Sequence, residues 1–237
     1  MILAGGLGSR LGKIVKDTPK PFLLVNGRPF IQKIVERLID QGINHIIFCL
    51  SYKAEKIRNF FGDGSIWGIK LSYVIEDKPM GTAGAIAGAF KKINGLNVII
   101  LNGDSFCYFD IQNLCKQHQL KNADATLSVL KVDNPQQYGL ILFDKDMRVK
   151  KFIEKSRVSE NKLNYINAGV YILKTTLIKK ISNSKPMSLE KEFFPKILDK
   201  NIQAFILKSN KFIDIGSPMS YKNADAFFSG DDEIYRK

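Results

Sequence analysis

Cysteine, histidine and tryptophan are scarce in this chain of 237 residues, which has three cysteines, two histidines and one tryptophan. The cysteines form no C-x-x-C pair, and so few histidines leave no ligand set with the spacing of a structural zinc site. Three cysteines in 237 residues also exclude a small fold held together by disulfides. We therefore expect a reducing, cytoplasmic location, and we interpret His45 and His118 as structural residues.

Long apolar runs are absent as well. No stretch approaches the roughly 20 residues that span a bilayer, and the apolar opening from Met1 to Ala4 is too short for a signal peptide. The hydrophobic content of 45% excludes a disordered chain. No internal repeat, low-complexity tract or linker interrupts the sequence. We expect no membrane partner, and one continuous domain over residues 1–228 followed by a polar tail over 229–237.

Acidic residues are the minority charge, since 23 Asp and Glu stand against 36 Lys and Arg, for a formal net charge of +13. Such an excess suits nucleic acid, an acidic membrane surface or a small phosphorylated substrate. It also fits a lysine-rich surface that is merely solvated. Because no basic run with interleaved aromatic residues occurs, we expect no nucleic-acid partner, and composition alone does not choose among the other interpretations.

Apolar runs alternate with amphipathic stretches through the first half of the chain. Their spacing predicts strands over 1–4, 45–50, 71–75 and 98–101, and helices opening at Pro29 and over 54–61, 83–91 and 111–121. The second half predicts strands with short connections, over 125–132, 140–143, 149–153, 168–173, 205–207 and 212–215, and helices over 189–198 and from Ser217. The pattern indicates an α/β fold of Rossmann-like type, with a mixed, mainly parallel sheet, helices on both faces and antiparallel additions in the second half.

A glycine-rich loop follows the first strand, and a lysine between two prolines follows that loop. The residues are Gly5-Gly6-Leu7-Gly8-Ser9-Arg10-Leu11 and Pro19-Lys20-Pro21. A Walker A loop would need glycine where Leu7 stands, and a dinucleotide fingerprint would need glycine where Leu11 stands. What remains is a loop whose backbone N–H groups can approach phosphate oxygens, with a guanidinium and an ammonium nearby. The alternative is a surface turn with solvated charges.

Further candidates follow other predicted strands. Gly81-Thr82-Ala83-Gly84 offers a backbone of small residues to a nucleobase or ribose. Asp104 comes directly after a buried strand, where ligands bind in open α/β folds, and Asp214 lies within an apolar strand, where a charge needs a partner or a metal. Two carboxylates together with substrate phosphates make a typical Mg²⁺ site. Alternatively, each aspartate is a turn former or a helix cap.

In this order along the chain, these motifs resemble the signature of the sugar-1-phosphate nucleotidyltransferases, also called nucleotide-sugar pyrophosphorylases. The resemblance covers nearly the whole chain and also includes Val25-Asn26-Gly27-Arg28-Pro29, Tyr138-Gly139, Phe152-Ile153-Glu154-Lys155, Asn167-Ala168-Gly169 and Asp214-Ile215-Gly216. It implies an enzyme that joins a nucleoside triphosphate to a sugar 1-phosphate and releases pyrophosphate. Because the attacking phosphate oxygen is already anionic, such a reaction requires no general base.

The resemblance also implies a role for each matching residue. Arg10 and Lys20 are expected to be catalytic, and Asp104 and Asp214 to hold Mg²⁺. The nucleotide-binding residues are expected to be Leu3, Ala4, Gly5, Gly6, Gly8, Ser9, Glu76, Gly81 and Thr82. The sugar-phosphate-binding residues are expected to be Asn102, Gly139, Glu154, Lys155 and Asn167.

The Gly-Thr-Ala-Gly loop and Gly103-Asp104-Ser105 are most similar to the guanylyltransferase branches of that family. They imply GTP as the nucleotide and D-glycero-D-manno-heptose 1-phosphate as the sugar, with Glu76 reading the guanine edge. Mannose 1-phosphate, uridylyl or cytidylyl transfer to another hexose 1-phosphate, and a non-enzymatic regulatory role stay open as alternatives. Relatives often form homo-oligomers, so a homo-oligomer is also to be considered.

Overall fold

A computed structural model of the chain describes residues 1–6, 8–153, 165–182, 184–209 and 211–229. It divides into two compact units. The glycine-loop unit comprises Ile2–Asp77, Asn102–Phe106 and the described residues from Phe212 onward, and the central unit comprises Met1, Lys78–Leu101 and Cys107–Lys211. Within the described ranges, none of the helices has the length and apolarity to cross a membrane.

Strands and helices alternate through most of the first half of the chain, whereas several strands follow one another in the second half. In chain order the strands are β1 (Ile2–Leu3), β2 (Leu24–Val25), β3 (Arg28–Pro29), β4 (His45–Leu50), β5 (Lys70–Ile75), β6 (Asn97–Asn102), β7 (Ser105–Cys107), β8 (Ala125–Lys131), β9 (Leu140–Phe143), β10 (Val149–Ile153), β11 (Tyr165–Lys174), β12 (Ile202–Ile206) and β13 (Phe212–Asp214). The α-helices are α1 (Phe30–Asp40), α2 (Ala54–Phe61), α3 (Gly81–Gly88), α4 (Ile111–Leu120), α5 (Thr175–Ile178), α6 (Phe194–Lys196), α7 (Pro218–Lys222) and α8 (Ala224–Phe228).

In the glycine-loop unit, β1, β4 and β5 pair in parallel. Leu3 lies opposite Cys49, and β4 pairs with β5 along its whole length. All but the first residue of β4 are buried, as expected for a parallel strand with both faces covered. Helix α1 buries an apolar stripe of Phe30, Ile31, Ile34, Val35 and Leu38, which recur at helical spacing. The carboxyl ends of these parallel strands therefore lie at one edge of the sheet, and the glycine loop follows the carboxyl end of β1.

In the central unit, antiparallel pairing dominates. Strand β11 pairs antiparallel with β6, β8 and β9, and β9 pairs antiparallel with β10. Strand β12 pairs in parallel with β8. The core includes the fully buried Tyr171, whose ring packs 5.5 Å from that of Phe194. The predicted α/β fold, with parallel strands in the first half and antiparallel additions in the second, is confirmed.

One predicted helix is wrong in detail. Residues 189–198 were expected to form a single α-helix, but the chain forms a π-helix over Leu189–Phe193, followed by the single turn of α6. The widened turn is closed by the N–H of Phe193, which donates to the carbonyl of Ser188 over 3.0 Å. Pro195 lies in the next turn and has no N–H to donate, so a regular α-helix is interrupted there.

Candidate functional site

The glycine loop lies against the end of β4 and against Lys20. The N–H of Ala4 donates to the carbonyl of Cys49 over 2.8 Å, which continues the β1–β4 pairing into the loop. Gly8 has φ +65°, and a Cβ there would lie 3.1 Å from the Cβ of Lys20. A side chain at position 8 would therefore be strained by its backbone and would press on the lysine. Beyond Gly8, a 3₁₀ segment over Ser9–Val15, which is kinked at Gly12, carries the exposed side chain of Arg10.

Lys20 is a buried charge with a carboxylate partner. Its side chain is 6% exposed, and its Nζ donates to Oδ2 of Asp104 over 2.5 Å, whereas the Asp104 side chain is 40% exposed. A buried ammonium requires such a partner, because its desolvation is otherwise costly. The alternative of a solvated surface turn is therefore wrong for Lys20.

Asp104 is positioned by a close approach of backbone. The N–H of Gly103 donates to the carbonyl of Leu3 over 2.8 Å, and a Cβ on Gly103 would lie 2.8 Å from that same oxygen. On the other side, the N–H of Ile215 donates to the carbonyl of Asp104 over 2.9 Å. Because Ile215 directly follows β13, this bond brings the end of β13 beside Asp104.

Asp214, the last residue of β13, has one carboxylate oxygen engaged. Its Oδ1 accepts from the N–H of Gly216 over 2.6 Å and lies 3.2 Å from Oγ of Ser220. Ser220 also completes a capping box with Ser217 at the start of α7. The sequence predicts a helix from Ser217 but gives no signal for Ser220, because a serine at the third helical position is a weaker capping signal than Glu or Gln.

Gly216 is the point at which the charged groups converge. A Cβ at this position would lie 2.8 Å from Oδ1 of Asp214, 3.3 Å from Nη2 of Arg10 and 3.3 Å from Nζ of Lys20. The structure thus brings together the predicted catalytic residues and a predicted metal ligand, with Asp104 attached through Lys20. This charged cluster of Arg10, Lys20, Asp104 and Asp214 contains two cations and two anions, of which all but Asp104 lie beside Gly216. Gly216 belongs to the Asp214-Ile215-Gly216 motif, but its close approach to the charged side chains is seen only in the folded chain.

The remaining predicted residues of the glycine-loop unit follow the same strand ends. The N–H of Glu76 donates to the carbonyl of Leu50 over 2.9 Å, so Glu76 extends β5 by one residue and is half-buried. Oδ1 of Asn102 is buried and has no hydrogen-bond partner among the described residues. Gly6 is exposed, and a Cβ there would meet nothing within 4 Å.

In the central unit, the predicted nucleotide loop is held by a segment far along the chain. Gly81 has φ +71°, and a Cβ there would lie 2.4 Å from the carbonyl oxygen of Met187. That same carbonyl accepts from the N–H of Ala83 over 3.0 Å, and Oγ1 of Thr82 accepts from the N–H of Leu189 over 2.7 Å. Only glycine fits at position 81, because both the backbone conformation and the contact exclude a side chain.

The predicted sugar residues of the central unit meet at β11. The N–H of Asn167 donates to the carbonyl of Gly139 over 3.0 Å. The Asn167 side chain donates from Nδ2 to the hydroxyl of Tyr171 over 2.7 Å and accepts at Oδ1 from the N–H of Gly169 over 3.2 Å. The other two predicted sugar-phosphate residues, Glu154 and Lys155, lie outside the described residues.

None of the cysteines is activated as a nucleophile. Burial raises the pKa of Cys49 and of Cys107 to about 12, and it also raises the pKa of Cys115. Burial lowers the pKa of His118, whose ring nitrogens lie 2.8 Å from Oγ1 of Thr126 and 3.1 Å from Oδ1 of Asn97. The thiols therefore stay protonated at neutral pH, and His118 is a hydrogen-bonded core residue, in agreement with its structural interpretation.

In the part of the chain that the structure describes, no group of three or more His, Cys, Asp and Glu side chains is arranged to hold a metal. The two aspartates of the charged cluster nevertheless fit the needs of Mg²⁺, which takes one or two carboxylates and completes its shell with water and substrate phosphates. Each has one oxygen engaged by the protein, Oδ2 in Asp104 and Oδ1 in Asp214. No described residue donates a hydrogen bond to the second oxygen of either carboxylate, so these oxygens can take a ligand.

Comparison with known proteins agrees with this arrangement. A sequence profile of the family described as nucleotidyl transferase matches residues 1–229. The chain belongs to the nucleotidyl transferase family. It is 38% identical to the D-glycero-alpha-D-manno-heptose 1-phosphate guanylyltransferase of Aneurinibacillus thermoaerophilus, over 94% of this chain and 95% of that protein. The family predicted from the sequence motifs is confirmed.

Two further similarities describe how this nucleotidyl transferase compares in length and in fold. It is 33% identical to the mannose-1-phosphate guanylyltransferase of Mycobacterium tuberculosis, over 95% of this chain but only 63% of that protein. The crystal structure of HddC from Yersinia pseudotuberculosis complexed with GMP-PN has a TM-score of 0.84 and 36% identity, and covers 96% of this chain and 98% of that one. The fold is therefore shared with solved members over nearly its whole length.

Proposed function

We propose that this nucleotidyl transferase transfers a guanylyl group from GTP to D-glycero-D-manno-heptose 1-phosphate, giving a nucleotide-sugar and pyrophosphate. The observation that carries the proposal is the convergence of Arg10 Nη2, Lys20 Nζ and Asp214 Oδ1 around Gly216. The similarity in sequence to a heptose 1-phosphate guanylyltransferase, along nearly the full length of both chains, supports the choice of substrates.

The charged cluster suits a reaction between two anions. The sugar phosphate oxygen attacks the α-phosphorus of the triphosphate in line with the departing pyrophosphate, so catalysis depends on positioning and on cationic stabilisation. We assign the guanidinium of Arg10 to the pyrophosphate leaving group and the ammonium of Lys20 to the α-phosphate and the incoming sugar phosphate. Because Lys20 is buried and held by Asp104, its ammonium group is oriented before the substrates bind.

We assign Mg²⁺ to Asp104 and Asp214. When bound, it would neutralise the phosphate oxygens on which charge develops during transfer. The available oxygen on each carboxylate supports this assignment. Oδ1 of Asp214 stays occupied by Gly216 and Ser220, which orients the carboxylate as a ligand.

The other roles extend the same proposal. Backbone groups of the glycine loop (Leu3, Ala4, Gly5, Gly6, Gly8 and Ser9) are assigned to the triphosphate, and Glu76, Gly81 and Thr82 are each assigned to nucleotide binding. A carboxylate at position 76 can accept from N1–H and the exocyclic amine of guanine, a pair of donors that adenine and uracil do not offer. Asn102, Gly139, Glu154, Lys155 and Asn167 are each assigned to binding of the sugar 1-phosphate. The buried Oδ1 of Asn102 has no hydrogen-bond partner among the described residues, so it is an acceptor suited to a sugar hydroxyl.

Three further proposals concern the setting of this reaction. We propose a cytoplasmic location, since nucleoside triphosphates and sugar 1-phosphates are metabolites of that compartment. We propose a single functional domain over residues 1–228, which the extent of the family match supports. Homo-oligomer formation stays a prediction, to be tested by light scattering on the purified chain.

The experiment that tests the function measures pyrophosphate release in the presence of Mg²⁺. Each of GTP, CTP, UTP, dTTP and ATP is combined with manno-heptose, mannose and glucose 1-phosphates. The expected result is a strong signal only for GTP with the manno-heptose phosphate. Activity with GTP and mannose 1-phosphate would favour the function named for the mycobacterial relative. Silence across all pairs from folded protein would overturn the proposal.

A further inference from the structure

A hydrogen-bonded chain of side chains in the central unit joins two regions assigned to different substrates. At its centre is Glu190, a half-buried residue of the π-helix Leu189–Phe193. Its Oε1 accepts from the hydroxyl of Tyr171 over 2.9 Å, and its Oε2 accepts from Oγ1 of Thr82 over 3.2 Å and from Oγ of Ser188 over 3.1 Å. A carboxylate bound by three side-chain hydroxyls is held in one orientation.

The chain reaches the sugar side through Tyr171. The fully buried tyrosine donates to Glu190 and accepts from Nδ2 of Asn167 over 2.7 Å, so one hydroxyl orients both. It reaches the nucleotide side through Thr82, whose Oγ1 donates to Glu190 while accepting from the N–H of Leu189. Buried networks of this kind rigidify the residues they contain, because every member already has its partners.

The backbone around Glu190 is unusual as well. A π-helical turn widens the spacing of the residues it contains, and such turns occur frequently at functional sites. In this protein the turn begins beside the nucleotide loop, since the carbonyl of Met187 accepts from Ala83 and the N–H of Met187 donates to the carbonyl of Met80. The segment Met187–Glu190 therefore contacts the loop by backbone and by side chain.

From this geometry we propose that Glu190 and Tyr171 are positioning residues for both substrates, which fix the predicted nucleotide loop at Thr82 and the predicted sugar residue Asn167 as one unit. The proposal rests on the proposed function. It assigns no contact with substrate to either residue. It holds that loss of the Glu190 carboxylate releases both regions, whereas loss of the Tyr171 hydroxyl releases the sugar side.

Glu192 provides a matched control. It lies two residues further along the same π-helix, is also half-buried, and accepts at Oε1 from the backbone N–H of Ser188 over 3.0 Å. Glu192→Gln therefore makes the same chemical change in the same segment without touching Thr82 or Tyr171. Any general effect of the substitution on the helix appears in both variants.

The test compares Glu190→Gln with Glu192→Gln and wild type in steady-state assays of pyrophosphate release, with KM measured separately for the triphosphate and the sugar 1-phosphate. Glutamine keeps one acceptor oxygen and carries no charge, so one side of residue 190 loses its hydrogen bond and the other keeps a weaker, neutral one. Since one lost hydrogen bond corresponds to about a three- to tenfold change in binding, we expect Glu190→Gln to raise both KM values, by up to about that factor. The control is expected to keep both within about twofold of wild type. Equal KM values in the two variants, or a fall in melting temperature without a KM change, would overturn the proposal.

Tyr171→Phe keeps the test decisive if Glu190→Gln does not fold. It removes only the hydroxyl, and it is expected to raise the KM for the sugar 1-phosphate while leaving that for the triphosphate unchanged. A rise confined to the triphosphate, or no rise, would overturn the proposal. The activity of the wild-type protein distinguishes failure of the proposed function from failure of the positioning proposal. Inactive wild-type protein contradicts the proposed function, whereas active wild type with unaffected variants contradicts only the positioning role.

Discussion

Replacing Gly216 by alanine is the sharpest test of the charged cluster. The substitution adds one methyl group 2.8 Å from Oδ1 of Asp214 and 3.3 Å from both Nη2 of Arg10 and Nζ of Lys20. Gly216 does not have a left-handed backbone, so alanine meets no conformational strain, and the effect is confined to these neighbours. All three neighbours are the ends of side chains, so they can shift away from the methyl group at little cost in stability. A displacement of about 1 Å in a catalytic group nevertheless lowers rates by about 100-fold. We expect kcat for pyrophosphate release to fall by about 30- to 100-fold.

Gly88→Ala is the matched control for that substitution. Gly88 is an exposed residue at the end of α3, and a Cβ there meets nothing within 4 Å. Alanine in a helix is about 0.5–1 kcal/mol more favourable than glycine, so this variant should unfold at the same or a higher temperature with unchanged kcat. A kcat for Gly216→Ala within about twofold of that of the control would refute the reasoning, since the displaced side chains of Arg10, Lys20 and Asp214 should not support normal catalysis.

Three further predictions concern other groups. Lys20→Met removes the ammonium beside Asp104 but keeps an apolar stem, so kcat should fall by about 100- to 1,000-fold, while the melting temperature in a fluorescence assay changes little, because Asp104 is partly solvated. Gly81→Ala should lower the free energy of unfolding in urea by about 2–4 kcal/mol, because it combines positive φ with a Cβ 2.4 Å from the carbonyl of Met187. Burial lowers the pKa of His118 from 6.5, so the unfolded state binds its proton first as pH falls. Stability should therefore decrease below about pH 6.5, and less steeply in His118→Gln.

Each of these predictions has an outcome that contradicts it. If the melting temperature of Lys20→Met fell as markedly as its kcat, Lys20 would be identified as a structural lysine. A Gly81→Ala protein as stable as wild type would show that the Met187 segment yields to the added methyl group. An identical pH dependence of stability in His118→Gln and wild type would mean that His118 does not link protonation to folding.

Several helices and strands could be predicted from the sequence because their hydrophobic patterns lie within a few consecutive residues. Strand β4 and helix α2 have the predicted bounds, 45–50 and 54–61, since a run of buried residues and a helical stripe each appear within a short window. The helix predicted over 189–198 is wrong because an α-turn and a π-turn differ by one residue of spacing. Over so few residues the apolar pattern fits both, and hydrogen bonds to Thr82 and Tyr171 hold the turn that forms.

The residues of the candidate site also fall into those that the sequence predicts and those that it does not. Some site residues could be identified from the sequence because their signal is local. These are the glycines at the strand ends, the lysine between prolines and the two aspartates, each of which stands out from its immediate neighbours as a small residue or a charge next to a strand. Glu190 and Ser220 gave no such signal, since a glutamate near a helix start and a serine within a helix are common on protein surfaces. Their roles depend on partners distant in the chain, Thr82 and Tyr171 for Glu190, and Asp214 for Ser220.

By itself the sequence determined the family, the α/β class and the kinds of chemical groups available, because motifs and periodicity are properties of neighbouring residues. The tertiary structure decided which of those groups meet. Parallel pairing of β1 with β4, together with the bond from Ile215 to Asp104, brings the glycine loop, Lys20 and Asp214 to one point around Gly216. That convergence brings together residues about 200 positions apart in the sequence. It depends on strand register and on the pairing of buried charges, and neither exists before the chain has folded.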